Sequence, residues 1–476
     1  MLANTLNKIS YDNIIQTWKN LSNEISEKTL EMQLVFPLLQ SLNLQGNQIK
    51  SGQNLGQGTG LIPDFLVYPD LNKPPALVIE IKRRTSTLAT TSEQDFINKC
   101  LTNSLYRDAV GYQDVSGSNG IKQYLDKSNT KIEPNRLASY GLVFNGDFFQ
   151  LWRRVDGLIL PLTPIQKMTE STIPELMQQL EYCLYGKPKA LVTAIWNRKG
   201  GVAKTTNTLN LASVLALKGK KVLLLDLDTQ NDLTRALRLE PENYSEYFKS
   251  CLKKIQAGHL DDAKQILKNT IQTCNYRTKD QKSFSLSILP GEYRSQEWFK
   301  KNADELDRKA KIQLLQQMIN LFIEDYDYIF MDISPASDDL TVAAIFSCDT
   351  FLIPSDYSKK TLHHAVDLYQ KDALTIRQAK VKQNYLHIGP WNLGIVFSNC
   401  PPGVASDSQL EKYIQQELTD KGFTGYQCQT RLAIYAQTKL AEYKHLPVIC
   451  WQKSPITKLY KDLADEIFLE HRFIDN

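Results

Sequence analysis

Trp196-Asn197-Arg198-Lys199-Gly200-Gly201-Val202-Ala203-Lys204-Thr205-Thr206 lies between an apolar run, Leu191 to Trp196, and an amphipathic one, Thr205 to Leu217. The first run reads as a buried strand. The second carries Leu209, Leu211, Ala212, Leu215 and Ala216 at helical spacing, so Lys204 and Thr205 open a helix. Strand, glycine turn and helix in that order make a phosphate-binding loop. Backbone N–H groups and the positive end of the helix dipole face the phosphates; Lys204 reaches the β/γ oxygens and the Thr205 hydroxyl holds Mg²⁺.

Around this loop the chain has 476 residues, too many for one typical core, so two or three domains are expected. The most linker-like stretch is Tyr185-Gly186-Lys187-Pro188-Lys189, which places the boundary between a domain of residues 1–186 and one of 187–476. A net charge of +4 does not announce nucleic acid, so any DNA contact must come from a local patch. The eight cysteines form no CxxC pair, which predicts reduced thiols in a cytoplasmic protein and argues against zinc or a disulfide framework. No run approaches 18 apolar residues, and no export signal or membrane span is expected. His363 and His364 are adjacent and not four apart, so they read as ordinary helix residues.

The loop departs from the general pattern GxxxxGK followed by Ser or Thr: its first glycine is absent and Lys199 stands at its head. It resembles the deviant Walker A box (KGGxGKTT) of the ParA/MinD family of ATPases. The resemblance implies that Lys199 to Thr206 (Lys199, Gly200, Gly201, Val202, Ala203, Lys204, Thr205, Thr206) bind ATP. It also implies that Lys199 reaches across a homodimer interface to the partner's nucleotide. Ala203 stands where the family has glycine, and its Cβ is expected to crowd a phosphate and slow hydrolysis.

Further boxes follow in family order. Lys220 to Gln230 reads as a fully buried parallel strand ending in Asp226 and Asp228, similar to the family's DxDPQG box. The resemblance implies that Asp228 orients the attacking water and that Asp226 supports the metal and the switch loop. Phe284 to Gly291 resembles another family strand, and Asp325 to Pro335 ends in Asp332, the Walker B counterpart, implied to bind Mg²⁺ through water. With Thr350 to Pro354, Leu393 to Asn399 and the run from Lys439 to Ile467, the resemblance spans about residues 190–470. The expected fold is a doubly wound, mainly parallel α/β sheet.

The N-terminal part carries a second constellation. Ser10 to Asn43 reads as two helices, the second with Leu30, Leu34, Leu38 and Leu42 on one face, Glu31 near its start and Pro37 bending it. Two strands follow, Pro63 to Tyr68 and Ala76 to Arg83, joined as a hairpin-like pair. Alternation puts Glu80 and Lys82 on one face and Ile81 in the core, and the pairing brings Asp64 beside them. Two carboxylates and a lysine suit Mg²⁺, or Mn²⁺, and water activation at a phosphate. Lys82-Arg83-Arg84 is a candidate contact to a DNA backbone, though a basic run at a strand end is more often simply solvated.

This arrangement resembles the PD-(D/E)XK nuclease core, and with Phe36 to Leu39, Tyr140 to Gly146 and Phe149 to Arg153 it looks like the nuclease domain of type I restriction motor subunits over about residues 10–160. The resemblance implies catalytic roles for Glu31, Asp64, Glu80 and Lys82, with Asp64 and Glu80 as metal ligands. Those domains carry a glutamine and a tyrosine one helical turn apart; here Gln123 and Tyr124 are adjacent, and the pair is not assigned. Together the halves imply an ATP-regulated, Mg²⁺-dependent DNA endonuclease, homodimeric or higher, in prokaryotic defence, with a partner protein encoded nearby. The competing expectations are a partition or positioning ATPase whose N-terminal domain grips DNA or a partner without cutting, and a nucleotide-dependent scaffold in which Ala203 has removed hydrolysis.

Overall fold

The computed structural model describes residues 11–22, 25–82, 120–244, 246–292, 308–336, 338–383, 385, 389–401, 408–433, 435–451 and 454–474. Arg83, Arg84 and Cys100 lie outside them. The described residues form two compact units, the first taking those up to Lys187 with 378–388 and 470–475, the second those of 188–377 and 389–469.

In the first unit, helix Asp12–Lys19 is followed by a helical stretch from Glu27 to Gln40 capped by Ser26. Pro37 does not break that stretch. The turn before it, Glu31–Val35, is widened to π geometry, which accommodates the N–H that proline lacks. Leu30, Leu34, Leu38 and Leu39 enter a core with Leu77, Ile79 and Ile81.

The sheet of this unit starts with β1 (Ile49–Ser51), β2 (Phe65–Val67) and β3 (Leu77–Ile81), antiparallel in succession. β4 (Tyr140–Phe144) runs parallel to β3, and β5 (Phe148–Val155) and β6 (Leu158–Pro161) continue antiparallel, with β7 (Gln166–Lys167) on β5. Alternation along β3 decides where the chemistry goes. Leu77, Ile79 and Ile81 face the helical layer; Val78 faces a second core with Ile121 and Tyr124, and Glu80 shares Val78's face.

The second unit holds β8 (Leu191–Ile195), β9 (Val222–Leu227), β10 (Gln272–Arg277), β11 (Ser283–Leu289), β12 (Tyr328–Ile333), β13 (Thr350–Ser355) and β14 (Trp391–Phe397). Their order is β10-β11-β9-β12-β8-β13-β14, all parallel except the β10–β11 hairpin. Registers pair Asp332 with both Ile195 and Asp226, so the loop and the two aspartates leave the sheet at one level, at the carboxyl ends where ligands of such sheets collect.

Two features were not expected from sequence. β10 has a half-exposed alternation without an apolar stripe, so nothing in Gln272 to Arg277 announced a strand. β15 (Arg472–Phe473) returns to the first unit and pairs parallel to β6.

Candidate functional site

The loop helix is Lys204–Leu217, one residue longer at its start than the apolar spacing marks. Gly201 (φ 76°) and Ala203 (φ 64°) both lie in the left-handed region. Ala203 is the residue that caps the helix, so the departure from glycine first costs backbone conformation, about 1–2 kcal/mol for a residue with a Cβ. The loop borders a cavity of about 560 Å³ together with Asp228 and, on the far side, residues including Glu442 and His445.

Lys204 is buried with Nζ 3.4 Å from the Lys199 carbonyl; burial lowers its pKa, against the pull of Asp332 and Asp228. Asp332 accepts the Thr205 hydroxyl on Oδ2 at 2.6 Å, while its buried Oδ1 has no hydrogen-bond partner. Burial and then Asp226 push the Asp332 carboxyl well above its ordinary range. A fully buried carboxylate with one orphan oxygen beside a hydroxyl is a hard-oxygen donor set that fits Mg²⁺.

Asp226 is engaged otherwise. Its Oδ2 accepts the Thr234 N–H at 2.8 Å and the Thr234 hydroxyl at 2.6 Å, and Oδ1 takes the Asp228 N–H at 3.3 Å. These bonds hold the turn after β9, and burial raises Asp226 to about 7. Asp228 borders the cavity.

Lys199 points to its own chain. Its Nζ lies 3.0 Å from Asp356 Oδ2 and 3.2 Å from Ser358 Oγ, and it does not border the cavity. Burial alone would raise Asp356, but hydrogen bonds from Ser358, Thr361 and Lys199 carry it down to about 2. Asn197 ties the same segments, donating to the Pro354 carbonyl and accepting the Lys199 N–H. Asp356 and Ser358 went unread because a turn after a buried strand carries no signal of its own.

In the first unit Asp64 Oδ2 accepts the Ile81 N–H at 2.5 Å, and Lys82 Nζ bridges to Glu80 Oε1 at 2.8 Å. The strand pair thus brings Asp64, Glu80 and Lys82 together. Glu80 is 6% exposed; burial raises it to about 7 and Asp64 to about 6, with Glu31 also raising Asp64. Glu31 itself is paired with Lys28 at 2.5 Å. Among the described residues no group of three or more His, Cys, Asp or Glu is arranged to hold a metal, so a cation here would rest on two carboxylates and its substrate, as Mg²⁺ does at phosphates.

Tyr124 joins this cluster: it is buried, its short helix packs on the strand that carries Glu80, and its hydroxyl acts to lower the Glu80 carboxyl against burial. The sequence left it unassigned because Gln123 and Tyr124 are adjacent; their apolar neighbour Ile121 was the available sign that Tyr124 turns inward. His363 sits on helix Lys359–Asp367 and bonds Glu417, an ordinary surface pairing.

Residues 190–385 match the family model described as AAA domain. Over this stretch the chain resembles P-loop ATPases of ParA/MinD type. It is similar to the sporulation initiation inhibitor protein Soj of Bacillus subtilis, 28% identical over 163 residues, 34% of this chain and 57% of that protein. It is also similar to an uncharacterized protein of Methanocaldococcus jannaschii, 30% identical over 169 residues, 35% of this chain and 60% of that protein. The chain thus spans about three fifths of the length of these curated relatives. Among solved structures, an ATP complex of Cyanothece McdA aligns with a TM-score of 0.46 at 18% identity, over 60% of this chain and 98% of that chain. Among the described residues no helix is long and apolar enough to cross a membrane.

Proposed function

We propose that the chain is an ATP-dependent, dimer-forming switch whose first unit is a Mg²⁺-dependent DNA endonuclease, acting in prokaryotic defence. The observation that carries the nuclease half is the meeting of Asp64, Glu80 and Lys82 at the end of one strand pair. The ATPase half is supported by the loop, the 560 Å³ cavity and the orphan oxygen of Asp332.

In the first unit, Asp64 and Glu80 would hold Mg²⁺. The bound ion supplies charge to neutralise a phosphodiester and to acidify water. Lys82, anchored on Glu80, orients the attacking water, and Tyr124 packs beside the strand that carries Glu80. Burial of this cluster strengthens each interaction. In the second unit, Lys204 neutralises the terminal phosphates, Thr205 and Asp332 would hold Mg²⁺, and Asp228 orients water at the terminal phosphate. Lys199, once released from Asp356, is the residue available to a partner's nucleotide.

Replacing Glu80 or Lys82 by Ala should cut DNA cleavage roughly a hundredfold or more and leave ATP turnover intact. Equal cleavage by wild type and both variants rejects the nuclease. A second reading is favoured by the ParA/MinD type of the P-loop domain: a positioning or partition ATPase whose first unit grips DNA or a partner protein. DNA retention without nicks, with ATP alone, is its signature.

A further inference from the structure

The short helix Ile121–Tyr124 touches two different things. On one side it packs on the strand Leu77–Ile81, which carries Glu80 of the carboxylate cluster, with Tyr124 buried beside Val78. Lys122 Nζ lies 5.4 Å from the centre of the Phe473 ring, and Asp126, just past the helix, pairs with His471 at 3.0 Å.

The strand at Phe473 is held firmly. Arg472 donates its N–H to the Gly157 carbonyl and Ile474 to that of Ile159, both at 2.8 Å. Phe473 stacks on Trp152 with centroids 4.8 Å apart and planes at 17°. Backbone, ring and charge contacts therefore all converge on residues 471–474.

Those residues follow directly on the last helical elements of the second unit, Pro455–Ala464 and Asp465–Leu469. Within that unit these elements pack on the loop helix. Tyr460 donates its hydroxyl to Asn207 Oδ1 at 2.8 Å, and Lys218 pairs with Asp465. Asn207 and Lys218 bracket the helix that Lys204 opens. Only Glu470 and His471 separate Leu469 from β15. From Leu469 to Arg472 is three residue steps, a span of at most about 11 Å, so the link between the final helix and the strand carries little slack.

We propose that residues 470–474 transmit the nucleotide state of the P-loop unit to the carboxylate cluster. Movement of the loop helix shifts Pro455–Leu469, the shift pulls on β15, and β15 acts on Lys122 and Asp126. The helix they hold carries Tyr124 and packs on the strand of Glu80, so its shift changes the packing beside that carboxylate. Lys122, Asp126, His471 and Phe473 act through one another and the helix 121–124, and are positioning residues. The inference rests on the proposed nuclease reading for its consequence, but the transmission has a readout of its own.

The experiment compares the full chain, Phe473→Ala, Phe473→Tyr and a chain stopped after Leu469, each with ADP, ATP or a non-hydrolysable ATP analogue. Two readouts are taken: hydrogen exchange of the segment 121–126, and plasmid cleavage with Mg²⁺. In wild type and Phe473→Tyr, exchange at 121–126 should differ several-fold between ADP and ATP states. In Phe473→Ala and the shortened chain that difference should vanish, with ATP turnover kept and any cleavage no longer dependent on nucleotide. If the shortened chain fails to fold, Phe473→Ala decides alone. A nucleotide difference that persists in Phe473→Ala, or is missing in wild type, overturns the proposal. Absence of cleavage by wild type in every state removes the nuclease reading and leaves the exchange readout to decide transmission.

Discussion

The Lys199 ammonium and the Asp356 carboxylate of one chain form an ion pair at 3.0 Å, with Ser358 completing the cradle. The lysine for which the ParA/MinD resemblance implies contact with a second chain is paired within its own chain. Its release must precede any such contact.

Replacing Asp356 by Asn should therefore favour ATP-dependent dimers. The pair is about a third exposed on the lysine side, so its worth is that of a surface bridge, about 0.2–1 kcal/mol. Light scattering against ATP concentration should show the dimer midpoint falling up to about fivefold. An unchanged or higher midpoint would mean the pair exerts no restraint.

Ala203 holds a left-handed conformation that glycine adopts freely. Ala203→Gly should relieve that strain, less the entropy glycine adds to the unfolded chain, for a net gain of about 0.5–1 kcal/mol. Urea unfolding of the P-loop unit reads this directly. A loss of stability would show that Ala203 makes a packing contact worth more than its strain.

Much of this was legible beforehand. The loop, Asp226, Asp228 and Asp332 declare themselves because parallel strands buried on both faces are continuous apolar runs that stop where the polar chemistry starts. Glu80 and Lys82 were legible from alternation along the second strand, and Asp64 from its pairing with the first. The partners of these residues were not. Asp356 on Lys199 and Tyr124 beside Glu80 are single polar residues with ordinary neighbours, brought in by contacts far apart in the chain, and Thr234 reaches Asp226 from the short helix eight residues on. Nor was β15 legible, since a two-residue strand has no period to read.

Asp332 accepts the Thr205 hydroxyl at 2.6 Å, and in the proposed reading the two would hold Mg²⁺. Chelating Mg²⁺ should weaken ATP binding in wild type, whereas Asp332→Asn should bind ATP with about the same affinity with or without Mg²⁺, by calorimetry. Without nucleotide, that variant should be no less stable than wild type, because it removes a carboxylate that burial already disfavours as an anion. A variant that still gains affinity with Mg²⁺ would place the ion elsewhere.

His471 gives β15 a pH dependence. Burial holds its pKa below the usual 6.5, with Lys122 acting in the same direction and Asp126 opposing. A lowered folded value means that the released strand binds the proton more readily. Docking should therefore be at full strength above about pH 6.5 and weaken as pH falls through the lowered value. Hydrogen exchange of residues 470–474, corrected for intrinsic rates, should be faster at pH 5.5 than at 7.5. His471→Gln should abolish the difference; a pH effect surviving in that variant would assign it to another group.

The most direct test of the switched nuclease is cleavage of supercoiled plasmid with Mg²⁺, comparing no nucleotide, ADP, ATP and a non-hydrolysable analogue, with Lys82→Ala as control. The account predicts nicking or linearisation that changes with nucleotide state and disappears in Lys82→Ala. Plasmid left intact by both proteins, or cut equally by both, would contradict it.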